Sequence, residues 1–402
     1  MTGSPSAALQ GCKALIVGAG IGGLSTALAL ARLGAQVELF EQSETLTGAG
    51  AGIQLSPNAT RVLYYLGLEE ALAAVAFRPE GIEFRHFSSG RVISASALGK
   101  AATARYGFPY LHVHRGDLYA VLLRAAQAQP GVRIHAGTRI ETVSQNATAT
   151  WLRIAGQKVT GDLLIGADGI RSMVREKLWG PAAPRFTGNV AWRALVPQER
   201  LRAELIRPMS TAWWGPGGHF VHYYVRGGAL VNCVCVIEKL GWEVESWTEP
   251  GARAELLADF SGWHDSLQQL MHAAEPQSLF KWALFDRDPL PRWSCGRISL
   301  LGDACHPTLP FMAQGAAMAI EDAAVLASAL AQGDAVERAL ECYEALRRPR
   351  TASIQQGSRR NARVFHLTGV RAWLRDRAVR VAGARTMDKL YDYDALNAVG
   401  PR

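Results

Sequence analysis

Three glycines and one acid near the start of the chain have the types and spacing of a dinucleotide site. An apolar run, residues 15–17, leads into the pattern G-x-G-x-x-G formed by Gly18, Gly20 and Gly23. The first glycine allows a tight turn, the second lets backbone amides approach a pyrophosphate, and the third lets helix and strand pack closely. Glu41 lies 18 residues after Gly23 and ends a second apolar run, where a carboxylate can hold a ribose. The pattern predicts an adenine dinucleotide, either FAD or NAD.

A strand, a helix and a second strand must hold these residues in place. Residues 13–75 are predicted to form this β-α-β unit and a further helix. The N-terminus of the first helix then supplies free N–H groups and a partial positive charge to the phosphates. No second strand-led G-x-G-x-x-G occurs in the chain. One such motif predicts one tightly held dinucleotide, so any second nucleotide must bind without a domain of its own.

The rest of the chain mixes two kinds of pattern. Residues 211–237 alternate between apolar and polar types around glycine-rich turns, which predicts an antiparallel meander. Residues 334–385 have a helical pattern. We therefore predict an α/β chain in which a Rossmann-like dinucleotide domain is interleaved with an antiparallel-sheet domain and followed by C-terminal helices. The predicted bounds are residues 1–75, 106–180 and 287–330 for the first domain, 76–105 and 181–286 for the second, and 331–402 for the helices.

The composition of the 402 residues is that of a globular protein, with 49% hydrophobic and 19% charged residues. No run approaches the roughly 20 apolar residues that cross a bilayer, so no membrane association is expected. Six cysteines without a C-x-x-C pair predict a reducing, cytoplasmic location, and no ligand cluster predicts a metal. The net charge of +8 comes from arginines spread along the chain without a nucleic-acid motif. We therefore expect no nucleic-acid partner.

Two later motifs join the first in a fixed order. They are Gly166–Ala167–Asp168–Gly169 and Gly302–Asp303–Ala304–Cys305–His306–Pro307. With them, nearly the whole chain resembles the single-component FAD-dependent aromatic hydroxylases, the class A flavoprotein monooxygenases. The branch of salicylate hydroxylase and 6-hydroxynicotinate 3-monooxygenase is the most similar, through residues 190–193, 213–219, 282–287, 312–323 and 390–394.

This resemblance implies FAD as the bound dinucleotide and assigns roles residue by residue. The implied FAD-binding residues are Gly18, Gly20, Gly23, Glu41, Arg115, Asp168, Asp303, Gly315 and Ala316. Asp168 would act through local structure, and the backbone N–H groups of Gly315 and Ala316 would face the flavin ring. Pro310 would lie where the flavin C4a-hydroperoxide forms. His306 is expected to shape its loop with Pro307.

The candidate substrate-binding residues are implied by the resemblance together with the alternation of side chains along one strand. His219 and Tyr223 share a face of that strand and His222 takes the other. A histidine suits the removal of a phenolic proton near neutral pH, so His219 and Tyr223 are candidates for catalysis and substrate binding. In the alternative interpretation, His219 ends a turn and Tyr223 fills the core. Arg193 fits either a substrate carboxylate or a structural ion pair, and is left unassigned.

Two departures from the branch bear on the substrate. The 6-hydroxynicotinate enzymes carry histidines at the positions of Gln54 and Phe311. The departure favours a carbocyclic ring lying against Phe311, with Gln54 also lining the substrate site. A milder change, which the salicylate-like branch shares, places Ala313 where the wider family has glycine.

The implied reaction is hydroxylation of a small anionic hydroxyarene by O2 and NADH or NADPH, through the flavin hydroperoxide. A salicylate-type reaction, with or without decarboxylation, is the first expectation. A ring hydroxylase of 6-hydroxynicotinate or hydroxybenzoate is the alternative. A flavin-binding redox sensor without turnover is the alternative from another class. The resemblance also implies a homodimer, which is common among such enzymes.

Overall fold

The computed structural model describes residues 8–48, 50–244, 249–382 and 387–400. Residues 1–7 of the predicted first domain and 401–402 of the predicted helical region therefore lie outside the described residues. The strands, in chain order, are β1 (Lys13–Val17), β2 (Gln36–Phe40), β3 (Gly52–Leu55), β4 (Gly81–His86), β5 (Val92–Ala97), β6 (Leu111–His114), β7 (Val132–His135), β8 (Thr142–Gln145), β9 (Thr150–Ile154), β10 (Gln157–Gly161), β11 (Leu163–Gly166), β12 (Arg185–Pro197), β13 (Met209–Gly215), β14 (Gly218–Val225), β15 (Leu230–Glu238), β16 (Phe280–Asp286), β17 (Ser294–Cys295) and β18 (Ile298–Leu300).

Twelve α-helices lie in the described part of the chain. They are α1 (Ile21–Arg32), α2 (Pro57–Tyr65), α3 (Glu69–Ala73), α4 (Gly99–Tyr106), α5 (Arg115–Gln127), α6 (Met173–Trp179), α7 (Arg253–Asp259), α8 (Asp265–Ala273), α9 (Gly315–Leu330), α10 (Val336–Phe365), α11 (Gly369–Ala382) and α12 (Asp388–Tyr391). None of them is both long enough and apolar enough to span a bilayer.

A six-stranded sheet in the order β17-β18-β11-β1-β2-β7 forms the centre of the first layer. Its strands are parallel except for the short edge strand β17. Helices α1, α5 and α9 pack together around it, and most of their apolar residues join its strands in one large core. The buried, nearly continuous apolar runs in the sequence are typical of strands covered on both faces.

The second sheet has seven strands in the order β16-β12-β15-β14-β13-β4-β5. All its neighbours pair antiparallel except β13 and β4. One face is covered by α7 and α8 through a core that includes Trp192, Trp213 and Phe220. The other face packs against the loop that follows β18 and against the end of α10, through Val236, Phe311 and neighbours. This α/β arrangement of a parallel sheet, an antiparallel sheet and C-terminal helices is the predicted fold class.

Candidate active site

The parallel sheet brings the three motifs to one edge. Val17 on β1 lies opposite Gly166 on β11, and Gly166 lies opposite Leu300 on β18. Because parallel strands end on the same side of a sheet, the turns that follow these three residues also meet there. Each of those turns carries one of the three motifs. The motifs, separated by more than a hundred residues in the sequence, therefore line one crevice.

The glycines of the first turn are required for two different reasons. A Cβ on Gly18, whose φ is +102°, would lie 2.4 Å from the Ala167 carbonyl oxygen, and a Cβ on Gly23 would lie 1.9 Å from that of Gly18. A Cβ on Gly20 would instead meet nothing within 4 Å. The packing of the turn thus explains the first and third glycines. The space above Gly20 lies at the start of α1, where a phosphate would be held by backbone amides.

Glu41 follows β2, and its carboxylate reaches back to the glycine turn. One oxygen accepts a hydrogen bond of 2.9 Å from the Ala19 N–H, and the other accepts one of 2.9 Å from the Ser43 N–H. These bonds fix the carboxylate beside the start of α1. Each oxygen keeps a lone pair that a ribose hydroxyl can use. The ribose role of Glu41 stays a prediction, and the geometry is suited to it.

Asp168 makes its side-chain hydrogen bond within its own loop. Its Oδ2 accepts a hydrogen bond of 3.1 Å from the Val174 N–H in the first turn of α6, and burial raises the pKa of the carboxyl. The Cα of Asp168 would lie 3.0 Å from a Cβ on Gly18. Asp168 therefore shapes the wall against which the glycine turn packs, in keeping with the local role expected for it.

Arg115 and Asp303 form an oppositely charged pair at the crevice. Arg115 begins α5, and its side chain covers Gly50, where a Cβ would come within 2.7 Å of the arginine Cδ. Asp303 lies in a 3-10 turn, Gly302–Ala304, and is exposed. Burial lowers the pKa of Arg115, while the negative charge of Asp303 opposes that shift. Both side chains are placed for the polar middle of a dinucleotide.

The start of α9 offers two backbone donors. The N–H groups of Gly315 and Ala316 lie in the first helical turn, where no earlier helix carbonyl can accept them. Gln314 holds this turn in place, because its Nε2 donates to Ser56 Oγ at 3.0 Å and its Oε1 accepts from Asn58 Nδ2 at 3.1 Å. The amides are therefore fixed before any ligand binds.

The loop between β18 and α9 is held in place by a buried polar cluster. Asp322 accepts hydrogen bonds from the Gly302 N–H at 3.1 Å, from His306 Nε2 at 2.6 Å and from Arg347 Nε at 2.7 Å. Arg347 also pairs with Glu321 at 2.7 Å, and the side chains of Arg347 and both acids are fully buried. His306 thus has the loop-shaping position expected for it. Cys305, His306 and Asp322 also lie close enough for a metal, but the oxygens of Asp322 are already engaged.

The second sheet presents His219 and Tyr223 on the face that looks toward this loop. The register sets His219 opposite Val236 and Tyr223 opposite Asn232, on the same face of β14. The ring of His219 lies 5.0 Å from that of Phe311 in the loop. Both side chains are buried, with exposed fractions of 3% for His219 and 4% for Tyr223. His219 does not end a turn but sits one residue inside the strand, beside the crevice.

His222 takes the opposite face, as alternation predicts. Its Nε2 accepts a hydrogen bond of 3.0 Å from Trp213 Nε1 in the core under α7 and α8. Burial, followed by the charge of Arg85, lowers its pKa to about 3. His222 is a neutral packing residue and takes no part in the candidate site.

Tyr223 lies in a tightly packed corner with Gly52. A Cβ on Gly52 would come within 2.6 Å of the tyrosine Cε2 and 2.8 Å of its hydroxyl oxygen. The Gly52 N–H donates to Asn232 Oδ1 at 2.7 Å, and the ring of His112 lies 4.5 Å from that of Tyr223. Burial raises the pKa of Tyr223, so its hydroxyl stays protonated and can donate a hydrogen bond.

Gln54 and Phe311 approach the site from the cofactor side. Gln54, on β3, accepts a hydrogen bond of 2.5 Å from the Tyr110 hydroxyl and donates one of 3.0 Å to Ser210 Oγ on β13. Through these two hydrogen bonds Gln54 joins the two layers. Phe311 is buried, whereas the neighbouring Pro310 is exposed. The catalytic and substrate-binding roles of Gln54, Pro310 and Phe311 stay predictions.

Sequence reasoning missed His366 and Glu238. His366 Nε2 lies 3.0 Å from His219 Nδ1, and His366 Nδ1 lies 2.7 Å from Glu238 Oε1. His366 follows the last turn of α10, and Glu238 ends β15. Neither residue stands in a motif, and the three are separated by 128 and 147 residues. No signal in the sequence links them.

The residues present fit a bound FAD. The open space above Gly20 has the position of a pyrophosphate, the Glu41 carboxylate has a free lone pair beside it, and the start of α9 offers amides to a flavin. Together these groups supply the donors and acceptors that a dinucleotide requires. The face of the second sheet that carries His219 and Tyr223 packs against the loop between β18 and α9.

Comparison with known proteins supports this cofactor. A family model described as an FAD binding domain matches residues 11–358. The 3-amino-4-hydroxybenzoate 2-monooxygenase of Streptomyces platensis is 39% identical over 94% of this chain and 93% of its own. The 3-hydroxybenzoate 6-hydroxylase of Klebsiella oxytoca is 39% identical over 90% and 91%, and the 6-hydroxynicotinate 3-monooxygenase of Bordetella bronchiseptica is 38% identical over 86% and 90%.

Solved structures match across the whole fold. The complex of Klebsiella pneumoniae HpxO with FAD and uric acid is 27% identical, covers 98% of this chain and 99% of that one, and has a TM-score of 0.85. A salicylate hydroxylase substrate complex is 26% identical over 96% and 97%, with a TM-score of 0.82. FAD is therefore the cofactor, with the NAD(P)H reductant typical of such hydroxylases. The chain belongs to the FAD-binding domain family and, within it, to the class A FAD-dependent aromatic monooxygenases.

Proposed function

We propose that this enzyme hydroxylates the ring of a hydroxybenzoate, using O2 and NAD(P)H. The observation that carries the proposal is the pair His219 and Tyr223, which share one face of β14 beside the loop between β18 and α9. Four residues along a strand span roughly 13 Å, so the two side chains can flank an aromatic ring. Phe311 supplies an apolar surface beside them, with its ring 5.0 Å from that of His219.

The relatives favour a hydroxybenzoate over the other expected substrates. Those at 38–39% identity are named for 3-amino-4-hydroxybenzoate, 3-hydroxybenzoate and 6-hydroxynicotinate, whereas the salicylate hydroxylase structure is 26% identical. The salicylate-type reaction, which was the first expectation from the sequence, therefore becomes the second candidate. Phe311 and Gln54 provide no histidine for a pyridine nitrogen, which favours a carbocyclic ring over hydroxynicotinate.

Positive charge on the substrate face favours an anionic ligand. Arg193 lies on β12 with its guanidinium 5.2 Å from the ring centroid of Phe280 and 5.5 Å from that of Trp282. Burial, followed by repulsion from Arg115, lowers its pKa to about 10, so Arg193 is still a cation at neutral pH. A buried cation raises the local potential and attracts a carboxylate. This supports a benzoate rather than a neutral phenol.

His219 is in the neutral form that has a lone pair for the phenolic proton. Burial lowers its pKa well below the usual range, and the neighbouring His366 adds to the shift, so its imidazole is neutral. A neutral imidazole has one nitrogen lone pair with which to accept a proton. FAD, when bound and reduced, supplies the activated oxygen, and a phenolate ring is more nucleophilic toward it than a phenol. Tyr223, kept protonated by burial, can donate a hydrogen bond to the ligand.

Apolar side chains limit water on this side of the crevice. Phe365 at the end of α10 lies 5.5 Å from the His219 ring and 6.5 Å from that of Phe311. Trp214 stacks on Phe365 at 4.7 Å. Exclusion of water matters, because the activated oxygen is otherwise lost as hydrogen peroxide without hydroxylating a substrate.

The test is a panel of small aromatic acids with the FAD-loaded enzyme. NADH and NADPH oxidation, hydroxylated product and CO2 release are measured with 2-, 3- and 4-hydroxybenzoate, 3-amino-4-hydroxybenzoate and 6-hydroxynicotinate. We expect at least one hydroxybenzoate to stimulate NAD(P)H oxidation and to give a hydroxylated product that retains its carboxyl group. CO2 released in step with product from 2-hydroxybenzoate would favour the salicylate-type reaction. Absence of stimulation by every compound would overturn the proposal and favour a redox sensor.

A further inference from the structure

We propose that His366 and Glu238 form, with His219, a path that carries the substrate proton from the buried site to solvent. The inference deepens the proposed function, since it assumes a substrate whose hydroxyl loses a proton at His219. It rests on three side chains from three elements, β14, α10 and β15, which meet only in the folded chain.

The three groups are in continuous hydrogen-bond contact. His219 Nδ1 and His366 Nε2 are 3.0 Å apart, and His366 Nδ1 and Glu238 Oε1 are 2.7 Å apart. Both histidines are buried, and the acid at the end of the series is largely exposed. The side chain of His366 is 3% exposed and that of Glu238 is 57% exposed. The path therefore begins at a residue on the substrate face and ends in water.

The acid at the outer end fixes the tautomer of both rings. An ionised carboxylate only accepts, so His366 must carry its proton on Nδ1 and present the lone pair of Nε2 to His219. His219 must then donate from Nδ1, which leaves its Nε2 unprotonated. His219 Nε2 makes no hydrogen bond within the described residues. Glu238 thus determines, through His366, that His219 presents a proton acceptor and not a donor to a ligand.

The charges around His366 are balanced in a way that suits a transient proton. Burial lowers its pKa, whereas the Glu238 carboxylate raises it and Arg375 of α11 lowers it. Arg375 is paired with Asp376 at 2.9 Å and donates to the Val364 and Phe365 carbonyl oxygens. His366 also follows directly after α10, whose C-terminus stabilises positive charge. His366 is therefore neutral at rest, and a passing proton is stabilised by the helix end and by Glu238.

The proton steps balance without any further reactant. The substrate hydroxyl gives its proton to His219 Nε2 and becomes phenolate, while His219 passes its Nδ1 proton to His366 Nε2. His366 then gives its Nδ1 proton to the Glu238 carboxylate, which releases it to water. Both rings end with their protons on the opposite nitrogens. Ring rotation or return of a proton along the same path restores them.

The first test reads the tautomers directly in the FAD-loaded protein without substrate. Nitrogen-15 NMR of labelled histidines, assigned with His219→Gln and His366→Gln, is expected to show Nδ1 protonated and Nε2 unprotonated in both rings. Glu238→Ala should move His366, and with it His219, to a mixture of tautomers. A wild-type His219 protonated on Nε2 would overturn the path, as would tautomers unchanged in Glu238→Ala. These results do not depend on any substrate, so they stand even if the proposed function fails.

The second test measures turnover with the hydroxybenzoate isomer that gives the highest rate in the panel above. Glu238→Ala should slow hydroxylation about 10-fold, less than the roughly 10²–10⁴-fold contribution of a group that takes the proton directly, because Glu238 receives the proton only after His366. Added formate or imidazole, which can take a proton from His366, should restore most of that rate. Glu199→Gln is the control, because Glu199 is exposed and follows the end of β12 that pairs with Leu230, at the opposite end of β15 from Glu238. A slow Glu238→Ala enzyme that small acids and bases do not rescue would indicate a structural role and overturn the proposal.

Discussion

Two buried histidines have opposite kinds of surroundings. His306 lies in the loop between β18 and α9, and His366 lies beside that loop, against Phe311. His306 bonds to Asp322, whose other oxygen is bound by Arg347, and all three side chains are at most 1% exposed. His366 bonds to His219 on one side and to the largely exposed Glu238 on the other. The ion pairs of the first cluster lie wholly in the interior of the protein. The second is open to a ligand at one end and to water at the other.

This difference separates buried polar groups that stabilise the fold from those that can take part in the reaction. A closed cluster of ions costs much to break, because a charge left behind is buried without its partner. Two neutral histidines that end at an exposed carboxylate have little such penalty and can exchange protons. The cofactor side of the molecule is therefore built for rigidity, and the substrate side for proton handling.

The largest effect is expected from opening the closed cluster. Arg347→Met keeps the volume of the side chain but leaves Glu321 and Asp322 buried without this cation, so the free energy of unfolding should fall by about 3–5 kcal/mol. Urea denaturation of the FAD-free protein measures it. Arg348→Met is the control, since Arg348 is adjacent and exposed, and should change stability by less than about 0.5 kcal/mol. Equal effects of the two substitutions would contradict a closed structural cluster.

Acid should destabilise the second sheet through its buried, neutral histidines. Burial, together with Arg85, lowers the pKa of His222 to about 3, so below pH 6.5 the unfolded chain gains a proton that the folded chain does not. Stability contributed by this neutral ring is complete above pH 6.5 and falls by about 1.4 kcal/mol per pH unit below it. His222→Gln should reduce the acid slope by that amount between pH 6.5 and pH 4.5.

Denaturation midpoints across this pH range give the slope. His272→Gln is the matched control, because His272 is exposed on α8 and contributes no buried ring. The slope should stay at the wild-type value in that variant. A His222→Gln protein as acid-sensitive as the wild type would mean that His222 is protonated in the fold.

A moderate effect confined to the cofactor side is expected from Glu41→Ala. Loss of the carboxylate removes its bond to the Ala19 N–H and its predicted bonds to the ribose, so FAD affinity should fall by roughly 10-fold or more. Equilibrium dialysis or flavin fluorescence measures the change. Glu44→Ala, which removes an exposed acid nearby, should retain FAD like the wild type. Normal FAD affinity in Glu41→Ala would count against the ribose role.

The smallest effect is expected at Ala313, in the loop between β18 and α9. Its φ of +52° lies in the left-handed region, which costs an alanine about 1–2 kcal/mol. Ala313→Gly removes this strain but makes the unfolded chain more flexible, so we expect a net stabilisation of about 1 kcal/mol or less. Ala155→Gly relieves the same strain at φ +46° in a distant turn and should stabilise equally. A loss of stability in Ala313→Gly alone would indicate that its methyl group packs in the loop.

The two sides also differ in how far the sequence could predict them. The glycine turn and Glu41 lie within one β-α-β unit, so their spacing in the sequence predicts that they lie close together in the fold. Alternation along β14 likewise separates His219 from His222, because side chains on a strand change face at each residue. The path from His219 through His366 to Glu238 joins residues 147 and 128 positions apart. Only the packing of α10 against the second sheet brings them together, and no local pattern encodes that contact.

The most direct test of the account compares His219→Gln with His222→Gln, two buried histidines on opposite faces of one strand. Each variant is loaded with FAD, and hydroxylated product is measured against NAD(P)H consumed with the preferred hydroxybenzoate. We predict that His219→Gln retains FAD but loses hydroxylation rate by about 10²–10⁴-fold, with more hydrogen peroxide formed, while His222→Gln hydroxylates like the wild type. Equal hydroxylation rates and equal coupling in the two variants would contradict the central claim that His219 takes the substrate proton.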